Sequence, residues 1–92
     1  MEKMTDSSGN IFTNLEFNPE KSTIYTLRAK LMSNLRKTIR EREWTQEEAA
    51  KVLSIGQSRV SDLMSGKWEK FSLDMLIALA IRAGKQIEIA IV

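Results

Sequence analysis

Residues 45–66 read TQEEAAKVLSIGQSRVSDLMSG, and their apolar side chains fall at helical intervals on either side of a three-residue break. Ala49, Ala50 and Leu53 recur at i, i+1 and i+4, and Ile55, Val60, Leu63 and Met64 carry the stripe past the break. Two short helices therefore share one core face. Thr45 opens the first as an N-cap. Glu48, three residues on, completes a Thr-x-x-Glu capping box that occupies two otherwise orphaned amides. Ser54-Ile55-Gly56 is too short for the second helix to do anything but fold straight back, and the small Ala49 and Ala50 admit a close crossing. Gly66 supplies the left-handed residue that ends the second helix.

The outer surface of that second helix carries Gln57, Ser58, Arg59, Ser61 and Asp62, short or planar hydrogen-bonding side chains grouped toward its N-terminus. Such a face suits base edges. Glutamine pairs with adenine through N6 and N7, arginine with guanine through O6 and N7, serine with either, and aspartate accepts from cytosine N4; a good bidentate pair discriminates by about 1–3 kcal/mol. A plain solvated helix face is the competing reading, because exposed polar residues are the default on any protein.

The spacing of Gln46, Ala50, Ile55, Gln57, Val60, Ser61, Leu63, Gly66 and Lys67 resembles the Cro/phage-repressor (Xre-type) helix-turn-helix family. The likeness extends to its HigA-like antitoxin subgroup through the preceding helix around Lys30, the run from Lys67 to Phe71, Ser72-Leu73 and a closing isoleucine-rich strand. In that family the turn usually carries glycine where this chain has Ser54, so a serine must hold a conformation glycine adopts more easily, at about 1 kcal/mol. The resemblance implies a mainly α, lambda-repressor-like bundle that represses transcription. It also implies a second role, binding a small ribonuclease toxin and repressing the operon that encodes both. A solitary phage-type regulator, or a protein-interaction module that retains the fold without specific DNA binding, stands as the alternative.

With 92 residues the chain has room for one domain. Cysteine is absent, which removes disulfides, thiolate metal sites and a cysteine nucleophile; histidine is absent too, which removes the commonest general base and the commonest metal ligand. These absences argue against an enzyme and against a metal or other cofactor. No run approaches the roughly 18 apolar residues that span a bilayer, and MEKMTDSSGN lacks the apolar centre of a secretory signal, so a cytoplasmic protein without membrane contact is expected. Residues 1–23 carry a net −2 within a total of +2, which leaves +4 on the remainder, the sign a phosphate backbone requires.

Residues 1–10 are polar and aperiodic, a disordered tail by composition, ahead of a single domain over 11–92. Ile11, Phe12, Leu15 and Phe17 suggest a short amphipathic turn that covers core or meets a partner. Asn18-Pro19 is a strong helix start, and the helix should run to about Glu43, with Ile24, Leu27, Leu31, Leu35 and Ile39 buried. Its Arg36, Lys37 and Arg40 suit either solvent or phosphate. Trp44 should plug the junction with Thr45. Phe71 should pack inward, with Trp68 free to do either. Ser72 caps a last, strongly apolar helix from Leu73 to Ala83, ended by Gly84. Residues 85–92 then change to period two, with Ile87, Ile89 and Ile91 on one side.

Five helices or so and a C-terminal β-strand are thus expected. A lone strand cannot satisfy its own backbone, so Ile87, Ile89 and Ile91 should pair two copies into a homodimer. Each copy's second short helix would enter the major groove of an inverted-repeat operator, with half-sites roughly 34 Å apart. Gln57, Ser58, Arg59, Ser61 and Asp62 would meet double-stranded DNA at its bases. Thr45 and Gln46, with Lys67 and Lys70 on the far side, would hold its phosphates.

Overall fold

The computed structural model describes residues 18–92, and the expected tail over 1–10 and amphipathic turn over 11–17 lie outside them. Four α-helices follow in order: α1 (Pro19–Glu41), α2 (Gln46–Leu53), α3 (Gln57–Met64) and α4 (Leu73–Arg82), with a 3-10 turn at Trp68–Lys70 between the last two. Their starts are the ones the sequence encodes. Asn18 accepts from the Lys21 amide at 3.1 Å with Pro19 as the first helical residue. At Thr45 the hydroxyl accepts from the Glu48 amide at 3.1 Å, while the Glu48 carboxylate accepts from the Thr45 amide at 2.8 Å. Ser72 accepts from the Met75 amide at 3.2 Å.

Each of these helices ends in the same double closure, in which one residue turns left-handed and the next reaches back to a carbonyl in the last turn. Gly66 (φ 74°) and Gly84 (φ 87°) do this without strain. Lys67 and Lys85 close the longer loops onto the Asp62 and Ala80 carbonyls, each at 3.0 Å. Glu43 (φ 55°) and Ser54 (φ 57°) take the same position with a Cβ in the way. Trp44 and Ile55 there close onto the Ile39 and Ala50 carbonyls, each at 3.1 Å. Ser54 thus adopts the glycine-like conformation its place in the turn demands.

The core is assembled from Met32, Leu35 and Ile39 of α1, Ala49 and Leu53 of α2, Val60 and Leu63 of α3, Phe71, and Leu76, Leu79, Ala80 and Ala83 in and after α4. α1 packs along α4, and α2 pairs with α3. Trp44 is half-buried against this core, as the junction plug it was expected to be. Arginines tie the helix ends together by donating to carbonyls that have no partner within their own helix. Arg36 reaches Leu63 O at 3.5 Å, Arg82 reaches Leu53 O at 2.9 Å and Arg42 reaches Ala83 O at 3.2 Å. Each places a cation at the negative end of a helix dipole.

Three expectations need correction. The buried stripe of α1 begins at Met32: Ile24 and Leu27 are 43% and 44% exposed, because α1 is longer than the helices it packs on and its first turns overhang them. The helix count among the described residues is four, plus one 3-10 turn, against the five or so expected, and the expected turn over 11–17 lies outside them. Residues 85–92 form no strand, since no segment of the described chain offers a ladder of hydrogen bonds to them. Ile87 folds back against the core, while Ile89 and Ile91 are 79% and 93% exposed.

Candidate nucleic-acid interface

The buried residues of α3, Val60 and Leu63, together with Ala49 and Leu53 of α2, leave the N-terminal half of α3 facing outward. Gly56 is its N-cap, with no side-chain cap and no acidic residue in the first turn. The first amides of α3 are therefore unoccupied by side chains of the described residues, and Gln57 and Ser58 beside them are exposed. A helix end of this kind is electropositive and can approach an anionic surface without a carboxylate in the way. Ser61, one turn further, is half-buried.

Arg59 and Asp62 face the same side but are occupied within the chain. The Arg59 guanidinium donates to Lys70 O at 3.1 Å and lies over the Phe71 ring at 4.8 Å from its centroid. Ring and carbonyl together fix the group, whose buried Nε has no hydrogen-bond partner among the described residues. The Asp62 carboxylate stands between two ammonium groups, Lys67 Nζ at 3.7 Å and Lys70 Nζ at 3.8 Å. α3 thus meets the segment from Lys67 to Phe71 with two side chains one turn apart, Arg59 gripping its backbone and ring and Asp62 pairing with its ammonium groups. The bases expected to meet Arg59 and Asp62 would have to compete with these contacts.

The lysine side chains are about half in solvent, so they remain available to phosphate beside the carboxylate they share. At the start of α2 the picture is mixed. Gln46 is exposed, but the Thr45 hydroxyl already serves the cap, and Glu47 and Glu48 place carboxylates in the first turn. Glu47 is offset by Lys51 at 4.0 Å, and Glu48 is drawn back onto the Thr45 amide. This end of α2 is a weaker anion site than the bare end of α3.

A helix pair with a buried inner face, a three-residue turn held by a left-handed Ser54, and a second helix presented end-on is the geometry of one motif. The family model for the helix-turn-helix domain matches residues 12–92. This chain belongs to that family. A search of curated proteins found no match. Membership makes the helix-turn-helix protein one of a class of DNA-binding regulators, and no described helix is long and apolar enough to cross a membrane.

Two features of the helix-turn-helix protein escaped the sequence. Trp68 packs outward on the overhanging part of α1, its ring edge-to-face with Tyr25 at 5.0 Å and under the Arg28 guanidinium at 5.5 Å. Tyr25 carried no signal, since it lies off the helix's apolar stripe. The Asp62 clamp has a signal in the chain. Gly66 at the helix end sends Lys67 back over the last turn, where Asp62 is the acidic residue within reach.

Proposed function

We propose that the protein is a homodimeric, sequence-specific transcriptional repressor that occupies an inverted-repeat operator, with α3 of each copy in the major groove. The observation that carries this reading is the bare N-terminal end of α3, where Gln57 and Ser58 stand exposed beside uncapped amides on a helix whose other face is locked into the core. Gln57, Ser58 and Ser61 meet bases, and Lys67 and Lys70 meet phosphates with Gln46 and Thr45 on the opposite flank. Arg59 acts behind this surface by holding the backbone of the lysine-bearing loop, and Asp62 by pairing with its two ammonium groups.

Dimerisation through the tails is supported by the exposure of Ile89 and Ile91 and by a backbone that, past the Lys85 closure, has no ladder partner within the described chain. The reading requires two tails paired antiparallel about a two-fold axis to place the two α3 helices at half-sites roughly 34 Å apart. Resemblance to HigA-like antitoxins supports a second role in which the protein neutralises a small ribonuclease toxin. A chain without histidine or cysteine supports no catalytic or metal-dependent activity for the protein itself, and a cytoplasmic site of action suits a DNA reader. The test is selection of bound duplexes from a random library, followed by mobility shift of the enriched sequence. Enrichment of a symmetric site with half-sites one helical turn apart is expected, and a library that emerges without any enriched sequence would overturn the reading.

A further inference from the structure

We infer that Asp62 sets the ratio of specific to non-specific DNA binding by holding Lys67 and Lys70 away from phosphates that are out of register. The inference rests on the DNA-binding role proposed above. Both ammonium groups lie within 3.8 Å of one carboxylate, and that carboxylate is 17% exposed against 52% for each lysine. The lysines thus cover the aspartate and present their outer faces to solvent. The trio carries a net single positive charge where the lysines alone would carry two. An ammonium has three donors, so a lysine can contact Asp62 and a phosphate together when a bound duplex places that phosphate correctly. On a duplex in an arbitrary register it must leave the carboxylate first. Asp62 is in this sense a positioning residue, and it touches no base.

The loop itself does not depend on this carboxylate. Its backbone is held by Arg59 at Lys70 O and by the closure of Lys67 N onto Asp62 O at 3.0 Å, and Phe71 anchors it in the core. Substituting Asp62→Asn therefore keeps the loop and removes only the charge, and partly exposed ion pairs add little to folding.

The experiment measures binding of wild type, Asp62→Asn, Lys67→Gln/Lys70→Gln and the triple variant to two probes, a random-sequence duplex and the duplex enriched by selection, across a salt series, with thermal unfolding of each variant alongside. For Asp62→Asn we expect several-fold tighter binding to the random duplex at low salt, a salt dependence steeper by about one phosphate's worth of slope, and a reduced preference for the selected duplex. The gain should vanish in the background lacking both lysines. Weakening of both probes would mean that Asp62 only supports the loop. Loss on the selected duplex at a single base pair, with random binding unchanged, would mean that it reads a base. A gain that persists without the lysines would mean that it repels phosphate directly. Each of these overturns the inference while leaving the protein a DNA reader; failure of wild type to bind either probe would remove that role itself.

Discussion

Arg59→Ala separates a structural arginine from a base-reading one. In the structure the guanidinium has two internal partners, the Lys70 carbonyl at 3.1 Å and the Phe71 ring at 4.8 Å. A charge-assisted hydrogen bond adds about 1.5 kcal/mol at the lower end of its range and an exposed cation–π contact about 0.5–1 kcal/mol. Because the arginine is only half-buried and alanine is the better helix former, part of this is returned. The net loss should be about 1.5 kcal/mol, or roughly 6–12 °C in Tm for a domain of this size. Urea unfolding followed by circular dichroism reads the first quantity directly. Affinity for selected and random duplexes should fall together, since loosening the loop displaces Lys67 and Lys70 without altering Gln57 or Ser58. Arg59→Lys should recover little, because lysine lacks the planar fork that lies on the ring while donating to the carbonyl. An unfolding midpoint unchanged from wild type, with preference lost at one base position alone, would refute the reasoning and return Arg59 to the bases.

Ser54→Gly should stabilise the protein by about 0.5–1 kcal/mol, seen as a higher urea midpoint, because the left-handed turn there no longer carries a Cβ. Ile89→Asp combined with Ile91→Asp should leave the fold intact, both side chains being exposed, and should yield a monomer by light scattering; a dimer of unchanged affinity would exclude the tail as the interface. Ser72→Ala should lower stability by about 1 kcal/mol through loss of the α4 cap. The same substitution should raise the Asp74 pKa, which the Ser72 hydroxyl holds below the ordinary carboxylate value, with help from the Asp74 and Met75 amides. A carboxylate lowered on folding contributes stability above its unfolded pKa and loses it as the pH falls through the folded one. Titration by NMR of wild type and variant should therefore show the Asp74 contribution shrinking on the acid side alone.

Much of the fold is decided by interactions within a few residues along the chain. Asn18, Thr45 and Ser72 mark helix starts because each side chain bonds an amide three positions on. Gly66 and Gly84 mark helix ends because only a left-handed residue closes the last turn cheaply. Ser54 shows the rule at its margin, a serine held left-handed by the geometry on both sides of it. The inner faces of α2, α3 and α4 follow from spacing alone, because a helix turns through a known angle per residue. These local rules already place the helix-turn-helix and the bare face of Gln57 and Ser58.

What a long charged side chain does is another matter, since its partner arrives from elsewhere in the sequence. Arg36, Arg42 and Arg82 bond carbonyls 27, 41 and 29 positions away, so only the packed fold reveals them as ties between helix ends. Arg59 and Asp62 fall on the outer face of α3 by periodicity, and only the packed fold shows that each also contacts the loop that folds back after Gly66. The overhang that exposes Ile24 and Leu27 depends on where α4 starts, since the far ends of α1 and α4 lie together at Arg42 and Ala83, and residues 85–92 make no strand without a second backbone to pair with. Helical phase and capping are written in neighbouring residues, whereas which charges stay free is settled only when distant carbonyls, rings and counter-ions are brought against them.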